Sequence, residues 1–308
     1  MTKDYIKRQF SNFYNEVIKT KTSKNVIVMP KYDTPQEMRS SGVIDKPIAV
    51  LTFDGWDENT IEKIAPYLYE KGIPFTVFAG FNDSKIGSAD FMTNSRLQAY
   101  HTLKDYGGEV QLYTSQPKTT FEGTSNYEEQ YTQLMQAYDR FISWGFGKPR
   151  FCSLAGGVTS DILNNLLHGL NIKSARTTTN HDNVTTELFE YPSIYCTNKT
   201  FHNFPQTLNG WANLNIPTFA MAHGLLNDTI WNDENTFISE ENMKSMIDDL
   251  ASLKTSKNVT FMKYSEFWDY IHFPRTAEIG QHCLIWEGDK KQHEYVKTVD
   301  GWREITIS

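Results

Sequence analysis

From Pro47 onward, short apolar runs alternate with longer stretches in which apolar side chains recur every three or four residues. The apolar runs predict strands over 48–53, 74–79, 109–114, 150–154, 172–177, 217–223 and 259–263. The periodic stretches predict helices over 60–71, 94–105, 127–144, 159–169 and 240–253. Strands separated by helices run parallel and cross over right-handed, which defines an α/β fold. The pattern alone does not separate an open sheet from a closed one. With seven such runs, a (β/α) barrel is the better expectation.

The two ends of the chain read differently. Residues 3–20 carry Ile6, Phe10, Phe13 and Val17 at spacings of four and three. This is either a coiled-coil seam of about two heptads or the apolar face of a helix docked on its own domain. "TKTSKN" and "KYDTPQEMRSSGVIDKP" carry turn residues without periodicity and predict connecting segments. After Phe273 come short β-like runs with turns at "EGDKK" and "VDGW", a small all-β appendage too short to hold a core of its own. The expected organisation is an N-terminal helix and linker over 1–45, a barrel over 46–273 and a β-rich module over 274–308.

Composition narrows the function classes. The 308 residues are 39% hydrophobic and 22% charged, an ordinary globular balance. A net charge of −7 without a basic run argues against a nucleic-acid partner. The first residues, "MTKDYIKRQFSNFYNEVIK", are interrupted by charges and predict neither a signal peptide nor a membrane span. Cys152, Cys196 and Cys283 are odd in number and lack metal-type spacing, so no disulfide framework is expected. Cys152 and Cys196 lie in strand-like runs and are expected as buried thiols. Aromatics make up 14% of the chain, enough for a core and for a cleft that stacks on sugars.

The candidate chemistry starts at "VLTFDGWDEN", where a strand that reads as buried ends in Asp54, Gly55, Trp56 and Asp57. A buried carboxylate costs several kcal/mol unless it is paired, hydrogen-bonded or metal-bound. The C-terminal ends of strands are where α/β proteins place their sites. "TFAMAHG" ends a second apolar run in His223. Between the two lie "GGEVQLYTSQP" and "RFCSLAGG", with Tyr113, Gln116 and Arg150.

Taken together, these segments resemble the polysaccharide deacetylases of the NodB-homology type, over roughly residues 46–272. The resemblance implies a distorted (β/α) barrel that removes acetyl groups from glycans with a metal-bound water, an Asp base and a His acid. The family's Thr-Phe-Asp-Asp-Gly reads here Thr52-Phe53-Asp54-Gly55-Trp56, with one Asp missing. Its His-Ser/Thr-x-x-His-Pro is represented by Tyr113 and Gln116 at the two His positions, with Gly107, Glu109, Val110, Thr114 and Pro117 keeping the frame. Arg150 and Gly157 match a wall motif in which Ala155 replaces Pro. His223 matches the general acid. The resemblance therefore implies Asp54 and His223 as the catalytic positions, and Trp56, Asp57, Tyr113, Gln116 and Arg150 as substrate-binding ones.

The family uses a divalent metal such as zinc, but a phenol and a carboxamide are poor ligands for it. No metal or other cofactor is expected here. A catalytic metal lowers its water's pKa from 15.7 to about 7, and each 1.36 kcal/mol lost is tenfold in rate. Asp57, His101, His181 and His202 are the other candidate ligands, and only Asp57 is near the motif in sequence. The expectation is a degenerate deacetylase that binds a cell-wall or surface glycan. The C-terminal run also resembles short tail modules of phage proteins, which implies a virion component with other virion proteins as partners. The short seam, and a tail unable to bury Ile279, Leu284, Ile285, Trp286, Val296, Trp302 and Ile305 within one copy, predict a homotrimer joined through the two ends. An active deacetylase or esterase with a rearranged site and a purely structural virion protein are the alternatives. Without a virion route, the chain is expected in the cytoplasm.

Overall fold

The computed structural model describes residues 26–80, 92–114, 127–157, 159–178, 184–185, 188–227, 232–287 and 291–305. In chain order these form β1 (Val26–Val28), α1 (Pro35–Ser40), β2 (Ile48–Asp54), α2 (Glu58–Glu70), β3 (Phe75–Ala79), α3 (Asn94–Thr102), β4 (Gly108–Tyr113) and α4 (Tyr127–Phe141). There follow β5 (Phe151–Ser153), α5 (Asp161–Gly169), β6 (Ser174–Arg176), β7 (Glu190–Tyr191), β8 (Ile194–Cys196), α6 (Asn203–Trp211) and β9 (Thr218–Ala222). The chain ends in α7 (Glu240–Ser256), β10 (Thr260–Met262), α8 (Tyr264–His272), β11 (His282–Trp286), β12 (Gln292–Thr298) and β13 (Gly301–Glu304). The N-terminal seam of Ile6, Phe10, Phe13 and Val17 lies outside the described residues, as do Gln116 and His181.

The seven predicted strands and five predicted helices are all present, with ends shifted by a few residues. Four short elements inside the barrel region were not expected: β7, β8, α6 and α8. The two strands have only two and three residues, too few to show a period, and Pro192 separates them.

All strands of the large sheet pair in parallel, in the order β7-β6-β5-β4-β3-β2-β9-β8, with β10 alongside the first half of β2. The two ends of that path, β7 and β8, are separated in sequence by Pro192 and Ser193 alone, so the sheet curves round until its edges meet along the chain. This is a distorted α/β barrel.

Strand alternation sorts side chains onto two faces. In β2 every residue is buried, as both-side coverage of a parallel strand requires. Ala49, Leu51 and Phe53 join the outer core with the helices, where Ile61, Ile64, Ala65 and Leu68 of α2 and Met243, Met246, Ile247 and Leu250 of α7 pack. Ile48 and Val50 face inward, with Phe78, Phe151, Tyr191, Phe219 and Met262 from the other strands.

The lower inner face is closed by α8, whose Tyr264, Phe267, Trp268 and Ile271 complete the inner core. Its N-terminus is fixed by side chains near the starts of β3 and β4. The Tyr264 N–H donates to Thr76 Oγ1 at 2.9 Å, and the Ser265 N–H donates to Glu109 Oε1 at 3.0 Å. An acidic side chain at a helix N-terminus is favourable in itself. Glu109, which keeps the frame of the second motif, is therefore a structural anchor.

The C-terminal residues form a meander, β11-β12-β13, to which β1 adds a parallel fourth strand. The sheet thus draws on both ends of the chain. The tail was expected to be unable to bury its apolar residues within one copy, but it packs back on the barrel. Cys283, Ile285 and Tyr295 are buried in the inner core cluster, and Phe273 stacks on Trp302 at 4.8 Å. Ile279 remains exposed.

A buried ionic cluster fastens this module. Lys173 Nζ, at the entry to β6, reaches Glu287 at 3.0 Å and Glu304 at 2.7 Å with only 5% of its side chain exposed. Glu304 also accepts from His293 Nδ1 at 2.7 Å, and the hydroxyl of Tyr295 donates to Glu287. The His293 hydrogen bond, helped by Lys173, lowers the Glu304 carboxyl from its ordinary value to about 2.

Replacing Lys173 with Met takes the ammonium from the buried Glu287 and the half-buried Glu304, and removing one partner of a buried cluster costs up to about 3–5 kcal/mol. The urea midpoint of Lys173→Met should fall accordingly. Because the folded-state pKa of Glu304 is depressed, its contribution is complete above about 4.5 and is lost as the pH falls toward about 2. Thermal melts of the parent across that window should show the loss, and Lys173→Met should show a smaller one.

Candidate functional site

The quoted motif resolves into four separate physical tasks. Asp54 is the last residue of β2 and points to the inner face, 3% exposed. Gly55 follows with φ of +57°, a left-handed conformation that a side chain would strain, and its N–H donates to Phe78 O at 3.0 Å. The turn sends Trp56 into the outer core, where its ring lies 4.4 Å from Phe53 and 5.5 Å from Phe75. The Trp56 N–H donates to the buried Tyr100 hydroxyl at 2.7 Å. Asp57 then caps α2, accepting from the Thr60 N–H at 2.8 Å. Trp56 is fully buried and offers no face to a ligand, and Asp57 is occupied by the cap.

Around the C-terminal ends of the strands, the register sets a row of inner-face side chains. Tyr113 of β4 is opposite Ser153 of β5, and Ser153 is opposite Arg176 of β6. On the other side of the barrel, pairing of Phe53 with Ala222 brings the next residues, Asp54 and His223, side by side. Gly80 is required in this row, because a Cβ there would come within 2.6 Å of Tyr113 Cβ. His223 is half-buried, its ring edge-on to Tyr195 and Phe237, with the Tyr195 hydroxyl 3.4 Å from Nδ1. Burial pushes the Tyr195 hydroxyl up to about 12, and the negative charge of Asp54 adds to that push. Asp54 and His223 thus share one end and one face of the sheet.

Asp54 is not free. Both of its oxygens accept from Nη2 of Arg176, and Oδ1 also accepts from Ser153 Oγ at 3.0 Å. Arg176 is fully buried and lies over the Phe78 ring, 5.4 Å from its centroid. Its Nη2 contacts Ser153 Oγ as well, while its Nε and Nη1 have no hydrogen-bond partner among the described residues. The guanidinium is therefore held chiefly by Asp54 and Ser153.

Arg150 does not join this row. It precedes β5 and so stands at the opposite end of a three-residue strand, about 10 Å from Ser153 along the chain. There it pairs with Asp269 of α8 at 3.0 Å and lies against the rings of Phe151 and Trp268. The other candidate ligands are placed elsewhere: His101 Nε2 is 3.0 Å from Trp144 O, and His202 precedes α6. Cys152, Cys196 and Cys283 are buried free thiols.

The residues present do not fit a divalent metal. Among the described residues, no group of three or more His, Cys, Asp or Glu side chains is arranged to hold a metal ion. Tyr113 contributes a phenol at the row, and most of the lone pairs of Asp54 are already directed at a guanidinium and a hydroxyl.

Sequence reasoning missed Arg176 and Ser153. The available signal was the strand "KSAR": an arginine on the alternating inner face of a central strand needs a buried counter-charge. Asp54 is the carboxylate at the same end.

No family model matches the sequence, and no curated protein matches it. Solved structures do. A protein from Mycobacterium smegmatis, described as a candidate polysaccharide deacetylase, superposes with a TM-score of 0.54 over 76% of this chain and 94% of its own, at 12% identity. The fold is that of the polysaccharide deacetylases. A family 4 carbohydrate esterase from Streptomyces lividans aligns at 11% identity over 70% of this chain and 91% of its own, TM-score 0.44. A pseudoenzyme of the same family from Bacillus anthracis aligns at 14% identity over 73% and 66%, TM-score 0.47.

Two substitutions test the structural tasks within the motif. Asp57→Ala should cost about 0.5–2 kcal/mol by removing the α2 cap. Tyr100→Phe should cost about 1–3 kcal/mol by leaving the buried Trp56 N–H without an acceptor. Both are read from urea denaturation.

Proposed function

We propose that this deacetylase-fold protein binds a cell-wall or surface glycan and has lost, or retains only weakly, metal-dependent deacetylation. The observation that carries the reading is the commitment of both Asp54 oxygens to Arg176. A general base or metal ligand needs an available lone pair aimed at water or metal. Asp54 aims three of its roughly four lone-pair sites at protein donors. Without a metal to lower the pKa of water and polarise the acetyl carbonyl, several kcal/mol of transition-state stabilisation are missing.

What supports binding is the polar character of the same end of the barrel. Tyr113, His223 and Tyr195 combine ring faces with hydrogen-bonding tips, the kind of surface on which a sugar is held. The phage-tail setting and the homotrimer remain part of this proposal. Since the tail packs on its own barrel, the trimer rests on the seam of Ile6, Phe10, Phe13 and Val17. Several binding ends in one assembly would raise avidity by roughly 10²–10⁴ over a single weak site.

Titration of the full chain with solubilised peptidoglycan and acetylated chitooligosaccharides, with acetate release followed in parallel, decides the function. Saturable binding without acetate release is expected, and His223→Ala should weaken that binding at least tenfold without moving the thermal midpoint. Acetate release that depends on added zinc would overturn the loss of activity. No binding to any of these glycans would favour a purely structural protein. Light scattering on the full chain should give the mass of a trimer, and a monomer would remove that part.

A further inference from the structure

We propose that Arg176 is the resident cation of the barrel's C-terminal end, doing for the charge of Asp54 what a divalent metal would do and thereby denying that position to a metal. The inference deepens the functional reading above and rests on it. Its grounds are geometric. Arg176 Nη2 bridges both Asp54 oxygens and contacts Ser153 Oγ, so three strands, β2, β5 and β6, are tied together at one guanidinium nitrogen. The side chain is fully buried, with Phe78 against its face, and cannot swing out to solvent as a surface arginine could.

Two consequences follow from that placement. First, a metal approaching Asp54 must compete with the guanidinium for the same lone pairs. Second, it must approach a fixed like charge in a water-poor interior, where Coulomb repulsion is far stronger than in bulk water. The loss of imidazole ligands at Tyr113 and Gln116 is thus accompanied by a residue that holds the site in a metal-free state. Nε and Nη1 of Arg176, which have no partner among the described residues, fit the same account, because the guanidinium is positioned chiefly by its charge partner.

The test uses the full chain and cobalt(II) alone, followed by equilibrium dialysis with metal analysis and by the visible absorption of bound cobalt. The parent and Arg176→Lys, which keeps the charge, should take up no stoichiometric cobalt. Arg176→Gln should bind cobalt at least about tenfold more tightly than the parent, and Asp54→Asn added to it should abolish the gain. One cobalt held tightly per parent chain overturns the proposal, as does a folded Arg176→Gln no better than the parent.

Stability supplies an arm that does not depend on the single Gln variant folding. Asp54→Asn strands the buried guanidinium and should lower the urea midpoint, while the double variant Asp54→Asn/Arg176→Gln should recover part of that loss. A double variant no more stable than Asp54→Asn overturns the pairing on which the inference stands. The glycan titration is independent of all these measurements. A parent that ignores every glycan would sink the functional reading while leaving the cobalt result intact.

Discussion

The buried contact between Asp54 and Arg176 is the constraint around which the C-terminal end of the barrel is built. A carboxylate and a guanidinium at 3% and 0% exposure can be held inside a fold only as a pair, since either alone would cost several kcal/mol. The pairing fixes which strands must meet. It joins the end of β2 to the end of β6 across the inner space, with Ser153 of β5 as the third member. Once those ends are joined, Tyr113 and His223 take up their places in the same row by register alone.

The inner face has two halves with different physics. Its lower half is apolar and sealed by α8, whose Tyr264 meets Ser174 at 2.9 Å and whose N-terminus is fixed by Glu109 and Thr76. Its upper half is polar: Thr52, Asp54, Ser153 and Arg176 stand where the lower half has Ile48, Val50 and Phe151. The boundary falls within single strands, because the same alternation that buries Val50 also turns Asp54 inward four residues later. The barrel thus has one sealed apolar end and one polar end. The C-terminal module reinforces the sealed end, stapled by Lys173 between Glu287 and Glu304.

The relation to the deacetylase fold is one of shared architecture at low sequence identity. The superposition with the mycobacterial protein covers 94% of that chain at 12% identity, so the fold persists where most side chains differ. Core positions tolerate such divergence when volume and pattern are kept. A metal centre does not, because each ligand type is tied to the chemistry of the ion. The strand pattern of such a fold can therefore persist whether or not a metal centre does.

Much of the barrel was legible in the sequence because parallel strands covered on both faces must be apolar throughout, as "IAVLTFD" is, and because α2 and α7 repeat their buried positions at helical spacing. The polar end was legible only as a set of positions. That Asp54 ends a buried strand is local information. That Trp56 enters the outer core, that Asp57 caps α2 and that Arg150 faces the far end with Asp269 are each decided by packing partners distant in the chain. The expectation for the tail is corrected only in part, for the same reason: Ile285 finds its cover on barrel residues that no local window contains, while Leu284, Trp286, Val296, Trp302 and Ile305 are half-buried and Ile279 is exposed. Most of all, the counter-ion of Asp54 lies 122 residues away. Local pattern determines which side chains must be buried; only the closed sheet decides which charge each of them meets, because electrostatic pairing depends on distance in space and not along the chain.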